Sequence, residues 1–357
     1  MAQSFQRRYF YASFLTLLVA SPLIGNAPMH NKGFMITDLL ESVIQSRALF
    51  TAAELNLAEL LENNPQTADE LAHKTKTHPE ALSRLLQFLC LKNIVTRDAS
   101  NRYALPASSH PMLGHHPQTI KPFLLHDDPT RWNSFGHLTY SITTGKPSFD
   151  MLYGKDYFSS LKENPELSKR FDQAMNIISQ HEDALIANTL PLQGIVADVG
   201  GGNGQLAQVL IAQQAGITNA IVFDLPNVVA HMKPSAGITP MGGSFFEPMN
   251  ITADVFILKR ILHDWDNKQA HAILNNVSKT MSLTSDLWII DGILDRAQNA
   301  PLLAAIDLGL LTIFGGQERT YAMFDDLINQ SGLVITEIVP LTPILFAIRC
   351  RKKTTEF

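Results

Sequence analysis

The stretch Val196-Ala-Asp-Val-Gly-Gly-Gly-Asn-Gly204 constrains this chain more than any other. Residues 195–199 read as a buried parallel strand, because they are short, β-branched and bounded by glycine. Residues 206–213 read as a helix, so the glycines form a strand-to-helix turn. Glycine accepts positive φ and has no Cβ, so a ligand can approach bare backbone there. About twenty residues on, Ile221-Val-Phe-Asp224 ends a second strand in an acid, a position suited to ribose hydroxyls.

A dinucleotide fingerprint needs G-x-G-x-x-G, but Gln205 stands where the third glycine would be. A P-loop is excluded, since no Gly-Lys-Ser/Thr follows the turn. Asp198, just before the glycines, suits a ligand with a cationic amino group better than a pyrophosphate. S-adenosylmethionine meets both demands: it has a ribose, an α-amino group and no phosphate. The plain alternative is a tight turn that serves packing alone.

From residue 195 onward, strand-like runs alternate with helices at 195–199, 220–224, 254–259 and 286–291, with a late pair at 333–338 and 344–349. That alternation predicts an α/β fold with a doubly wound, Rossmann-like parallel sheet closed by an antiparallel edge strand. The N-terminal part differs. Residues 36–64 carry apolar positions at helical spacing until Pro65. Thr67-Ala-Asp-Glu70 and Thr77-His-Pro-Glu80 each read as a capping box. The helix over 80–92 is followed by Ile94-Val-Thr-Arg and Arg102-Tyr-Ala-Leu, a small hairpin, so the order is that of a winged helix. The would-be recognition helix over 81–93 carries only Arg84 and Lys92 as cations, and the net charge of −5 gives no footprint for nucleic acid or anionic membrane. Its apolar surface fits a dimerisation module better. Residues 106–125 are proline-rich loop, and helices follow over 131–143, 155–163 and 165–190.

At the N-terminus, Arg7-Arg8 precede an apolar run over 9–24, in the manner of a signal peptide. The run is short for a stable span of about twenty residues, and Pro22 interrupts it. Translation from Met29 or Met35 would remove it. Cys90 and Cys350 sit in apolar segments and read as two buried thiols in a reducing compartment. The expected location is cytoplasmic, with export or membrane association left open by the apolar start.

Asp254-Val-Phe-Ile-Leu-Lys-Arg-Ile-Leu-His-Asp-Trp-Asp266 is a buried strand running into a polar cluster. In an open α/β sheet ligands sit beyond the carboxyl ends of the strands, which brings Lys259 and His263 near the glycine turn. Asp291 closes another strand and Glu318 lies in the loop Gly315-Gly-Gln-Glu-Arg-Thr320. A carboxylate on one imidazole nitrogen leaves the other as a base, and histidine's ordinary pKa of about 6.5 suits proton removal from a phenol. His263-Asp-Trp-Asp266, His126-Asp-Asp128 and His115-His116 lack the two-anchor spacing of a zinc site, so no metal is expected. No G-x-S-x-G elbow marks a hydrolase.

Asp198-Val-Gly-Gly-Gly-Asn-Gly204, Phe223-Asp-Leu-Pro226, Gly243-Ser-Phe-Phe246, Leu258-Lys-Arg-Ile-Leu-His-Asp-Trp265 and Gly315-Gly-Gln-Glu-Arg-Thr320 occur in this order. Together they resemble the S-adenosylmethionine-dependent O-methyltransferases of the caffeic acid and hydroxyindole type, over roughly residues 36–350. The resemblance implies methyl transfer to a hydroxyl of a small, aromatic acceptor, with His263 as general base flanked by Asp291 and Glu318. It makes Gly200, Asp224, Leu225, Phe245 and Lys259 contacts of S-adenosylmethionine, with Ser179 a weaker match. It puts Trp132, Phe149, Phe171 and Met175 in the acceptor region; as plain chemistry these are equally core filling. Asp264 joins the acceptor contacts, although with Asp266 it also reads as the solvated opening of a helix over 267–281. Two positions depart from the pattern: Ser244 replaces the usual adenine-contacting acid, and Asp291 replaces a longer Glu. The chain then divides into a hydrophobic extension (1–30), a helical winged-helix dimerisation domain (31–115), a helical linker with the acceptor region (116–190) and a cofactor-binding catalytic domain (191–357). A homodimer is implied. Two other outcomes stay open: a family member that keeps the cofactor but hydroxylates or decarboxylates, and a non-catalytic dimeric regulator.

Overall fold

A computed structural model describes residues 36–233 and 235–353. The apolar run over 9–24 lies outside the described residues. The strands are β1 (Thr96–Arg97), β2 (Tyr103–Ala104), β3 (Gly194–Val199), β4 (Ile217–Asp224), β5 (Ile238–Gly242), β6 (Val255–Lys259), β7 (Asp286–Gly292), β8 (Leu333–Pro340) and β9 (Leu345–Lys352). Contacts divide the chain into two units. Among the described residues, one holds those up to Thr139 together with Phe158–Ile177; the other holds Tyr140–Tyr157 and those from Ile178 onward. Segment 116–190 is therefore shared between the two.

In the first unit, the single helix expected over 36–64 is two helices, Ile36–Glu54 and Leu57–Leu61. Between them Asn56 takes φ 54°, a left-handed conformation that asparagine tolerates better than most residues and that no α-helix can contain. The first capping box forms: Thr67 Oγ1 accepts the Glu70 N–H and Glu70 Oε2 accepts the Thr67 N–H. The second does not. The helix Pro79–Leu91 is capped by His78 without a side-chain bond, and Thr77, one residue too early, pairs its hydroxyl with Thr75. β1 and β2 pair antiparallel as the small hairpin of the winged-helix order. Leu57, Leu61, Leu71, Leu86 and Leu89 are almost wholly buried, whereas Leu91 is 74 % exposed. Cys90 is half-buried rather than buried, because it sits beside that exposed end; Cys350, on β9, is buried as expected.

The second unit is built on a seven-stranded sheet of order β5-β4-β3-β6-β7-β9-β8. β3 to β7 run parallel, and β9 is antiparallel to both its neighbours. The antiparallel strand is thus one place in from the edge. A short connection after Pro340 pairs β8 with β9, and β9 opens with the buried run Leu345-Phe-Ala-Ile348, so it takes the inner place. β5 is a strand that the sequence pattern did not show, because Pro240 and an exposed edge position remove its apolar alternation. β3, β6 and β7 are buried on both faces, as a parallel sheet covered by helices requires. The chain leaves β3 towards β4 and returns on its other side as β6, so a crevice opens at the carboxyl ends of β3, β4 and β6. No helix among the described residues is long and apolar enough to cross a membrane.

Leu258 lies wholly buried in β6, one residue before Lys259. Leu258→Ala is expected to cost about 2–5 kcal/mol. A clear fall in the urea midpoint, followed by tryptophan fluorescence, checks this; an unchanged midpoint refutes it.

Candidate active site

The glycine turn is packed tightly below and open above. Gly200, Gly202 and Gly204 have φ of +80°, +58° and +77°. A Cβ on Gly201 would lie 2.6 Å from Asp198 Oδ2, and one on Gly200 2.4 Å from Ile261 Cδ1, whereas one on Gly202 would meet nothing within 4 Å. Asp224 ties the turn to the next strand: its Oδ2 accepts the Gly202 N–H at 2.8 Å and its Oδ1 the Leu225 N–H at 2.6 Å. The Phe245 ring borders Gly200 and packs on Phe246 and Trp265. Ser244 Oγ accepts the Phe246 N–H at 3.3 Å. Asp198 lies buried beneath the turn. Burial pushes its pKa up to about 7, against the charge of Lys259 and with that of Asp183 and Asp224. An open backbone turn, an acid at the end of β4 and an aromatic wall fit the adenosyl group of S-adenosylmethionine.

At the end of β6, Lys259 Nζ donates to Ser179 Oγ at 3.1 Å and makes a shorter bond to Asp183. Arg260, next to it, has φ +52°, which costs a non-glycine residue roughly 1–2 kcal/mol. Its guanidinium grips Glu182 through Nε and Nη2, and its N–H donates to Ile290 O at 2.8 Å. Both bonds hold the strained residue in place. Glu182 and Asp183, consecutive in the helix Pro165–Thr189, therefore fix the two cations at the end of β6.

His263 sits in a 3₁₀ turn, Leu262–Asp264, and is buried. Its Nδ1 lies 3.0 Å from Glu318 Oε1 and 3.5 Å from Asp291 Oδ1, and its Nε2 lies 3.6 Å from Asp264 Oδ1. With two carboxylates on Nδ1, that nitrogen carries the proton. Burial disfavours the charged ring, but Asp291, Asp264 and Glu318 outweigh it and push the pKa up to about 10. The neutral imidazole is thus a far stronger base than histidine's ordinary pKa of about 6.5 implies, although the resting ring is protonated. Asp291 is fully buried, and burial raises its own pKa against the pull of His263. The shorter Asp291 makes the longer of the two contacts, and neither of its oxygens has a hydrogen-bond partner among the described residues. Gly292 leaves room for Glu318: a Cβ there would lie 2.6 Å from Glu318 Oε2. These three side chains also have the make-up of a metal-ligand set, with donor atoms within 4.8 Å of one another.

The residues expected at the acceptor are distributed over both units. In the first, Trp132 lies 4.9 Å beneath the Arg47 guanidinium, Phe171 packs 5.7 Å from His126, and Met175 is half-buried. In the second, Phe149 is 1 % exposed and packs on Tyr153 and Tyr157. Asp264 stands beside Nε2, and Asp266 caps the helix Asn267–Thr280 through the Gln269 N–H. Sequence reasoning missed Glu182, Asp183 and Arg260, which no local spacing marks.

Residues 135–334 match the O-methyltransferase domain family and residues 37–113 match the O-methyltransferase dimerisation domain. A mitomycin biosynthesis 6-O-methyltransferase of Streptomyces lavendulae is 29 % identical, covering 85 % of this chain and 90 % of the relative. A flavonoid 4'-O-methyltransferase of Mentha piperita is 30 % identical over 85 % of this chain and 93 % of its own. The O-methyltransferase NcsB1 of neocarzinostatin biosynthesis, solved with S-adenosylmethionine and 2-hydroxy-5-methyl naphthoic acid, superposes with a TM-score of 0.77 at 27 % identity, covering 87 % and 96 % of the two chains. The fold and site thus define a methyltransferase with a Rossmann-like sheet and a helical dimerisation domain. The chain belongs to the O-methyltransferase family, as an S-adenosylmethionine-dependent enzyme that pairs as a homodimer through its N-terminal domain.

The imidazolium predicts a pH signature. Its folded-state pKa of about 10 exceeds the unfolded value of about 6.5, so it contributes stability that is complete below about pH 6.5 and lost as pH rises through 10. The thermal midpoint is expected to fall between about pH 7 and 10, and His263→Gln to flatten that fall. Equal slopes in the two proteins would show that His263 carries no such charge.

Proposed function

We propose that the enzyme methylates the hydroxyl of a small aromatic acceptor with His263 as general base. The observation that carries this is the imidazole whose Nδ1 is held by two buried acids, Glu318 and Asp291. S-adenosylmethionine supplies an electrophilic methyl group on a sulfonium. His263 Nε2 takes the acceptor's hydroxyl proton as its oxygen attacks that methyl; the new C–O bond forms as the C–S bond breaks, and the proton stays on the imidazolium. A pKa near 10 matches a phenol's pKa of about 10, so proton transfer is close to thermoneutral, whereas a free imidazole, with a pKa of about 6.5, is a base weaker by more than a thousandfold. Gly200, Asp224, Leu225, Ser244 and Phe245 hold the adenosyl part. Lys259 and Ser179, with Asp183, form its polar wall. Asp264 bounds the acceptor beside Nε2, and proximity supplies much of the rate. The relatives' names, with their mitomycin, flavonoid and naphthoic acid compounds, support an aromatic acceptor. Unpaired Cys90 and Cys350 and an intracellular cofactor support a cytoplasmic place of action.

His263→Ala is expected to abolish turnover on a panel of phenols while S-adenosylmethionine binding, followed by calorimetry, survives. In the parent enzyme the acceptor kcat/KM rises with pH through the neutral range, because deprotonation of His263 limits the active fraction. Retained turnover in the variant, or a profile flat from about pH 6 to 9, would sink the proposal.

Ser244 offers a second test. A carboxylate there adds a charged acceptor for the adenine amino group, so Ser244→Asp is expected to tighten cofactor binding by roughly tenfold. Weaker or equal binding argues against an adenine contact at this position.

A further inference from the structure

Arg319 is among the largest fully buried side chains, 1 % exposed, yet among the described residues its guanidinium hydrogen-bonds no carboxylate. Nη1 donates to Leu262 O at 2.7 Å and Nη2 to Trp265 O at 2.8 Å, and Nε donates to Asn267 Oδ1 at 3.2 Å. The two carbonyls flank His263, so one planar fork spans the 3₁₀ turn that carries it. The same segment touches the turn again. The Gln317 N–H donates to His263 O at 2.9 Å, and Gly316 approaches so closely that a Cβ would lie 2.1 Å from that oxygen. Glu318, between Gln317 and Arg319, holds the ring itself, and its N–H is fixed by Asp307 Oδ1 at 2.7 Å. Arg319 is anchored in turn, since its carbonyl accepts the Leu294 N–H just beyond β7.

We infer that Arg319 is a positioning residue for methyl transfer: it sets the backbone of His263 while Glu318 sets the ring, so that Nε2 meets the acceptor hydroxyl in one orientation. This rests on the proposed role of His263 as base. Arginine is required because only a planar fork reaches both carbonyls while Nε stays bonded to Asn267; a lysine ammonium reaches one. A buried arginine placed on neutral carbonyls is costly to desolvate, and burial lowers its pKa accordingly. The charges of Asp291, Glu318, Asp266 and Asp307 offset part of that cost.

The test compares the parent, His263→Ala, Arg319→Lys, Asn267→Ala and Asn267→Asp. Arg319→Lys is expected to lower kcat by about 10- to 100-fold, with acceptor KM and cofactor affinity nearly unchanged. Asn267 is exposed, so its variants should fold. Asn267→Ala releases both Arg319 Nε and Gln317 Nε2 and should lower kcat several-fold, while Asn267→Asp keeps the acceptor oxygen and restores it. The proposal is overturned if Arg319→Lys keeps the parent kcat, or if its loss appears in KM. If Arg319→Lys does not fold, the Asn267 pair decides: Asn267→Ala at the parent kcat, or a loss that Asn267→Asp does not repair, overturns it. A His263→Ala enzyme that still turns over overturns the base itself instead, whatever Arg319 does.

Discussion

Two carboxylates buried against one imidazole nitrogen impose most of the local architecture at the site. Each unpaired buried anion would be expensive, and together they repel. The proton on His263 Nδ1 makes the cluster tolerable, with Glu318 Oε1 at 3.0 Å and Asp291 Oδ1 at 3.5 Å. The surrounding choices follow. Gly292 makes room for Glu318, Gly316 admits the backbone beneath His263, and Arg260 and Arg319 lend positive charge to the same acids. The strained φ of Arg260 survives because Glu182 and Ile290 O hold it from two sides.

The sheet explains why these groups meet. β3, β4, β6 and β7 end at the same edge, and each delivers one element of the site: the glycine turn, Asp224, the Lys259–His263 run and Asp291. The helix carrying Glu182 and Asp183 closes on the end of β6 through two ion pairs. Charge is closely balanced there. Lys259 answers Asp183 and Arg260 answers Glu182, which leaves Asp198, buried under the turn, with little compensation and a raised pKa.

Features with a local signature were legible in the sequence. The turn could be read because three positive-φ positions demand glycine, and Asp224 and His263 because they follow apolar runs that can only be strands. Features set by distant partners were not. β5 was hidden by Pro240 and its edge position, and the break at Asn56 by a continuous apolar spacing. Thr77 had the residues of a capping box but lay one position from the true cap. Arg260 and Glu182 are 78 residues apart, so no window of sequence pairs them. Arg319 stood in a motif already singled out, but its bonds go to backbone carbonyls, which carry no residue identity.

The pKa of about 10 sharpens the proposed chemistry rather than obstructing it. A base that holds its proton this firmly is strong but mostly unavailable near neutral pH, so the enzyme gains driving force and loses active fraction. A cation bound beyond β3 and β6 shifts that balance. Its charge disfavours the imidazolium by like-charge repulsion. S-adenosylmethionine is such a cation by virtue of its sulfonium. Cofactor binding should therefore loosen the proton on His263 while leaving Glu318 and Asp291 to hold the ring, which frees the base when a methyl donor is present to use it.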